Sequence, residues 1–232
     1  MKDLIAKIKM YGVLKSFNFF LSEAKYKLRQ LSFSSYSQRE EDLVIDRLLK
    51  YKKRGFYVDI GANDPHRFSN TKRFYLKGWR GINIDPNMDS IERFMNSRPK
   101  DINLNIGISG EKSKIIFFRF FPDTLSTFSP NLAKDYVKSG YKKIKEEYIQ
   151  TFSLAMVLKK YAGKKKIDFL SVDTEGFDEK VLKSNDWKKY KPKIICVESN
   201  KSGESKINNL LRENKYTLAF DNGLNSIYEA QN

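Results

Sequence analysis

Four carboxylates in this 232-residue chain each close a short apolar run: Asp59 after Tyr57-Val58, Asp85 after Ile82-Asn83-Ile84, Asp173 after Leu170-Ser171-Val172, and Glu198 after Ile195-Cys196-Val197. Runs of this length, rich in β-branched residues and bounded by turn residues, are predicted parallel strands. Ligands of open α/β sheets bind at the carboxyl ends of such strands, so acids placed there could hold a cofactor or accept a proton. Gly61 follows Asp59 by two residues and lets a ligand approach the backbone closely. Gly61-Ala62 does not continue into G-x-G-x-x-G, and Pro65 removes an N–H that a phosphate cradle would use. The loop therefore suits a nucleotide-like cofactor without a pyrophosphate. Asp85 lies 24 residues beyond Gly61, close to the roughly 20-residue offset at which a second-strand acid grips ribose hydroxyls. Plainer roles exist for both acids: Asp-x-Gly ends many strands, and Asp85 before Pro86 makes a good helix N-cap.

Four stretches share a pattern with a known family. Val58-Asp59-Ile60-Gly61-Ala62-Asn63, Arg67-Phe68-Ser69-Asn70-Thr71, Gly78-Trp79-Arg80-Gly81-Ile82-Asn83-Ile84-Asp85-Pro86 and Ser171-Val172-Asp173-Thr174-Glu175-Gly176-Phe177 resemble the FkbM-type methyltransferases. Tyr36-Ser37-Gln38-Arg39-Glu40-Glu41-Asp42 resembles that family's leading segment, and the likeness spans roughly residues 33–200. Pro65 departs from the glycine frequent in the family. The resemblance implies a class I methyltransferase fold, Rossmann-like, with a mostly parallel sheet covered by helices on both faces. It also implies S-adenosylmethionine (SAM) as donor and a hydroxyl oxygen as acceptor, on a sugar of a bacterial surface glycan or on a secondary metabolite.

Under that resemblance, Asp59, Gly61, Ala62 and Asn63 face the methionine end of SAM, Asp85 the ribose, and Asn105 and Ile106 the adenine. Gln38 reaches the cofactor from above or simply starts a helix. Methyl transfer from a sulfonium is an in-line displacement that depends mostly on alignment, with a base to take the hydroxyl proton. Asp173 and Glu175 are the preferred bases. His66, the only histidine, is a third candidate or a surface residue. Asp173, Glu198 and Asn200 could hold Mg²⁺ through oxygen ligands; a metal is not the favoured reading. Two other classes stay open. A nucleic-acid methyltransferase would use the positive charge, although the chain has no Asn/Asp-Pro-Pro-Tyr/Phe stretch. A non-catalytic basic module for membrane or glycan would leave the acidic edge as structure. No G-x-x-x-x-G-K-[S/T] occurs, which disfavours a nucleotidase or kinase.

The elements that must position these residues follow from periodicity. Residues 1–35 form a basic amphipathic extension ahead of a methyltransferase domain at 36–232. Leu4, Ile8, Tyr11, Leu14, Phe17, Leu21, Ala24, Leu28 and Leu31 make one helical stripe. With seven Lys/Arg against two Asp/Glu over residues 1–35, this helix could lie on an anionic membrane or pack on the domain or on a second subunit. A helix is predicted at 38–53 with Ser37 as N-cap and Leu43, Val44, Leu48 and Leu49 buried. Further helices are predicted at 69–77, 87–97 and 204–214. Strands are predicted at 104–108 (the third of the parallel series), 115–121, 147–152, 167–172, 194–197, 215–220 and 225–230, the last two as an antiparallel hairpin around Asn222-Gly223.

Bulk composition sets the bounds. Charge reaches +16, which attracts polyanions, although no specific nucleic-acid partner is expected. One cysteine and one histidine exclude a disulfide framework and a Cys/His zinc cluster. A reducing, cytoplasmic setting is expected, with peripheral membrane contact through residues 1–31 as an open alternative to packing. No apolar run is long enough to span a bilayer.

Overall fold

The computed structural model describes residues 20–21, 24–28, 30–31, 35–199 and 204–231. Most of the 1–31 stripe therefore lies outside the described residues, as does Asn200. Within residues 24–31, Tyr26 is buried, stacks edge-on against Phe68 at 5.0 Å and donates its hydroxyl to the His66 carbonyl at 2.6 Å.

The apolar runs form the expected central sheet. Its strands are β1 (Phe56–Ile60), β2 (Arg80–Ile84), β3 (Ile102–Leu104), β7 (Phe169–Val172), β8 (Ile194–Glu198), β9 (Tyr216–Asp221) and β10 (Asn225–Ala230). They lie in the order β3-β2-β1-β7-β8-β10-β9. β1 pairs in parallel with β2 and β7, β2 with β3, and β7 with β8; β10 runs antiparallel to both neighbours. Residues 56–60 and 169–172 are buried without exception, as continuous apolar strands covered on two faces must be. One face carries Val58, Ile60, Ile84, Leu170, Val172 and Val197 with helix residues such as Val181 and Leu182. The other carries Tyr57, Phe74, Trp79, Phe169 and Cys196 against Ile45 and Leu49.

The covering helices are α1 (Glu41–Leu48), α2 (Lys72–Leu76), α3 (Met88–Ser97), α4 (Pro130–Lys138), α5 (Leu154–Val157, continued by a π-turn to Ala162), α6 (Asp178–Lys183) and α7 (Glu204–Glu213). Among the described residues no helix is long and apolar enough to cross a membrane. A second sheet of order β4-β6-β5 stands beside the first, made of β4 (Gly107–Ile108), β5 (Ser113–Phe121) and β6 (Lys142–Phe152).

Three expectations are corrected. The run at 104–108 is two strands, because Ile102–Leu104 pairs with β2 while Gly107–Ile108 pairs with β6. The strand expected at 147–152 begins at Lys142: its first residues are charged and exposed, so they carry no apolar alternation. The helix expected at 38–53 spans only Glu41–Leu48, and Ser37 does not cap it. Its cap position is Glu40, in left-handed conformation; Ser37, three residues earlier, donates to the buried carboxylate of Asp42 at 2.9 Å and accepts from the Asp42 N–H at 3.3 Å. Ile45 and Leu49 are the residues of this helix region that reach the core; Leu43, Val44 and Leu48 are only partly buried.

Candidate active site

The carboxyl ends of β1, β2, β7 and β8 open into one cleft of about 350 Å³. Gly61 makes this geometry available. It has φ +75, and a Cβ there would sit 1.7 Å from the carbonyl oxygen of Asp173, so the turn after β1 passes against the turn after β7 only as glycine. The Gly61 and Ala62 N–H groups donate to the Ile84 carbonyl at 2.9 and 3.1 Å, which fixes the loop beside the end of β2. Gly61→Ala is expected to lower the melting temperature and to abolish stabilisation by S-adenosylhomocysteine in a thermal-shift assay. An unchanged shift would mean that this loop is not the cofactor cradle.

Asp59 is buried beneath the loop. Its carboxylate accepts from the Thr71 hydroxyl at 2.6 Å, and Thr71 in turn accepts from Nη1 of Arg98 at 2.8 Å. Burial raises the Asp59 pKa, and Thr71 and the Arg98 charge oppose the rise. Arg98 is itself almost fully buried and also donates to the Pro65 carbonyl at 2.7 Å and to Ser69 at 2.9 Å. Asp59 is thus the end of a buried relay that sets the loop after β1 from below.

Asp85 accepts from the Asn63 N–H at 2.9 Å and the Asn87 N–H at 2.7 Å. Burial, partly offset by those two bonds, pushes its pKa up to about 6. It shares the cleft wall with the apolar Ile84, Pro86, Ile106, Ile108 and Phe117. Arg93 closes this end, donating to the Asn63 carbonyl at 3.0 Å and to Asp123 at 3.2 Å in the turn after β5.

At the other end three carboxylates converge. Asp173, Glu175 and Glu198 each place an oxygen within 4.8 Å of the others. Asp173 opens on the cleft but is otherwise enclosed by protein and like charge. Its pKa rises well above the ordinary value through burial and then through Glu198, Asp178 and Asp59. Burial and the Asp173 charge push Glu175 up to about 8, and burial and Glu175 push Glu198 up to about 8. Glu175 adopts φ 49, a left-handed conformation uncommon outside glycine. It is held there by the Thr127 hydroxyl, which donates to its carbonyl at 2.7 Å, and by the Tyr136 hydroxyl, which donates to its carboxylate at 2.6 Å.

These shifts make stability depend on pH. Glu175 and Glu198 keep protons in the folded protein that the unfolded chain releases near pH 4.5. The stability this contributes is complete below about pH 4.5 and is lost as pH rises through about 8. The melting temperature is therefore expected to fall from pH 6 to about 9, and to fall less in Glu198→Gln. A rise over that window in the wild-type protein would contradict the raised pKa values of Glu175 and Glu198.

The structure brings Gln38, Asp59, Gly61, Ala62, Asn63, Asp85, Ile106, Asp173, Glu175 and Glu198 to the cleft. Gln38 is carried there by a segment pinned from below, where Glu41 accepts from the Asn222 and Asn225 amides, both at 2.9 Å. His66 is not brought in. Asp64 accepts from the His66 and Arg67 N–H groups at 2.7 and 2.9 Å, and the His66 ring pairs outside the cleft with Ser97 at 2.8 Å. Asn105 does not line the cleft either: it is exposed and ties down the turn after β2 by donating to the Asp85 and Pro86 carbonyls at 3.2 and 2.9 Å. For the oxygen-ligand set expected of Asp173, Glu198 and Asn200, the third described partner is Glu175. Missed from the sequence were Tyr136, Arg93, Asp123 and Phe128, which come from elements whose approach to the cleft has no local signature.

A mostly parallel sheet with only β10 reversed, and an acid-edged cleft at the carboxyl ends of its strands, define an α/β protein compatible with methyl transfer. Residues 59–218 match the methyltransferase FkbM domain. The protein belongs to the FkbM methyltransferase family, and it is a methyltransferase; SAM is the usual donor of such enzymes. The match contains the Asp59, Asp85 and Asp173 stretches but not the leading segment at Tyr36–Asp42. No curated protein matches the chain.

Proposed function

We propose that this protein uses SAM to methylate a hydroxyl oxygen, on a sugar of a surface glycan or on a secondary metabolite. The observation that carries this reading is the carboxylate cluster Asp173–Glu175–Glu198, which opens on the same cleft as the Gly61 loop and Asp85. SAM fits the residues present. Asp85 stands at the end of β2 for a ribose diol, and Ile84, Ile106 and Ile108 offer an apolar wall for adenine. When bound, SAM would supply an electrophilic methyl group on a cationic sulfur.

The chain's own part is alignment and proton removal. Three carboxylates this close cannot all be charged, so at neutral pH the cluster holds protons and retains at least one basic oxygen. In this reading Asp173 or Glu175 accepts the acceptor's hydroxyl proton, and Tyr136 holds Glu175 in place. Carboxylates around the reacting hydroxyl favour a neutral polyol there over an acid. Incubation with radiolabelled SAM and a panel of glycans tests the reading; absence of binding to both SAM and S-adenosylhomocysteine would overturn it.

The same three oxygens suit a hard divalent cation. Under the base reading, EDTA leaves turnover unchanged and Mg²⁺ does not shift the melting temperature. If EDTA stops turnover while S-adenosylhomocysteine still binds, the cluster instead works through a metal.

A further inference from the structure

The opposite, amino-terminal edge of the central sheet carries a second concavity, of about 1000 Å³. Seven lysines line it, against two carboxylates, Asp168 and Glu229. Asp168 already accepts from Lys52 at 2.6 Å and from the Phe56 N–H at 3.1 Å. None of the seven lysines makes an ion pair with a described residue.

The fold gathers this charge from three separate segments. Lys50 follows α1, Lys164–Lys166 form the turn after α5, and Lys189, Lys191 and Lys193 lead into β8. In the last segment Tyr190 and Pro192 are buried while the lysines between and beside them are exposed. This alternation of burial leaves the three amines on the solvent side. Lys165 and Lys189 lie over the Phe56 and Tyr190 rings at 4.8 and 5.4 Å, which orders their stems. So many like charges without counter-ions repel one another, and a bound polyanion would relieve that repulsion.

We propose that this groove binds an anionic glycan chain, one bearing sulfate, phosphate or carboxylate groups along its length. The groove is concave and has no exposed apolar side chain to insert into a bilayer: Ile167 and Tyr190 are buried. Bases of a single-stranded nucleic acid stack on exposed aromatic rings, and Tyr190, the only ring in the lining, is covered. A flexible sugar chain needs only spaced cations and hydrogen-bonding groups, which the lysines, Thr217 and Gln231 supply. The groove lies across the sheet from the cleft, so it holds a part of the chain remote from any reacting hydroxyl. The proposal does not depend on the methyl-transfer reading.

The test uses the full chain and a size-defined heparin oligosaccharide, followed by fluorescence anisotropy at several salt concentrations. Two variants carry the same change in net charge. The groove variant is Lys164→Glu/Lys166→Glu/Lys191→Glu/Lys193→Glu, and the control is Lys100→Glu/Lys112→Glu/Lys114→Glu/Lys138→Glu, at exposed sites outside the groove lining. The groove variant is expected to bind heparin at least roughly tenfold more weakly, as loss and reversal of several exposed pairs implies, and the control within about threefold of wild type. The S-adenosylhomocysteine shift should be unchanged and the melting temperature should not fall in the groove variant, which separates this outcome from failure of the cofactor site. Equal weakening in both variants, or none in the groove variant, overturns the proposal. It is also overturned if an equally charged DNA oligonucleotide, or phosphatidylserine-containing vesicles, bind more tightly than heparin and lose binding through the same four lysines.

Discussion

Asp173→Asn and Glu175→Gln are each expected to lower turnover roughly 100- to 10,000-fold, the usual contribution of a positioned base, while S-adenosylhomocysteine still binds. The two side chains share one cluster with Glu198, so the double variant should lose less than the product of the single losses. Wild-type turnover should rise with pH as Glu175 loses its proton near 8, the opposite direction to the melting temperature. After burial, the Asp173 charge is the main cause of the raised Glu175 pKa. Asp173→Asn should therefore also move the remaining pH–rate limb to lower pH, a change that a merely structural role would not produce. Near-wild-type turnover in both single variants would remove the cluster from the reaction. Loss of S-adenosylhomocysteine binding would instead move it to the cofactor site.

Arg98→Ala is expected to destabilise the protein by about 3–5 kcal/mol, the cost of breaking a buried charge network from one side. At this chain length that lowers the melting temperature by roughly 6–20 °C. The buried guanidinium bridges the Pro65 carbonyl, Ser69 and Thr71, and Thr71 passes the contact to Asp59. Its removal leaves those acceptors dry and takes from Asp59 and Asp101 a charge that eases their ionisation. Arg98→Lys should recover only part of the loss, because one ammonium cannot reproduce the planar fork. Thermal melts of both variants decide this; an Arg98→Ala protein within about 1 kcal/mol of wild type would mean that the network adds nothing to folding.

Much of the fold was legible because its strands are buried on both faces. A strand in that setting is mostly apolar, so Phe56–Ile60 and Phe169–Val172, each with a single polar residue, stand out from a lysine-rich background. β6 was half hidden for the converse reason: Lys142–Glu146 are exposed, so burial left no mark on them. The split of residues 102–108 between two sheets depends on Gly107, where a Cβ would meet Phe128 at 2.6 Å and Thr151 at 2.8 Å. Those partners lie far along the chain, and nothing near Gly107 announces them. Glu41 and Asp42 in the first turn of α1 are buried because Asn222 and Asn225, far along the chain, and Ser35 and Ser37 arrive to bond them.

The sequence alone determined that carboxylates would end the parallel strands, since a strand's buried length and the turn residue after it are local properties. It also carried the family resemblance, whose Asp59, Gly61 and Asp85 stretches sit on adjacent strand–turn units. Which acids meet was decided by tertiary structure. β7 lies between β1 and β8, and this strand order alone brings Glu198 beside Asp173 and Glu175 and sets Gly61 against the Asp173 carbonyl. Tyr136 reaches Glu175 from a helix 39 residues earlier in the chain. The raised pKa values arise from the same packing, because desolvation and like-charge repulsion are properties of proximity in space that no local spacing encodes.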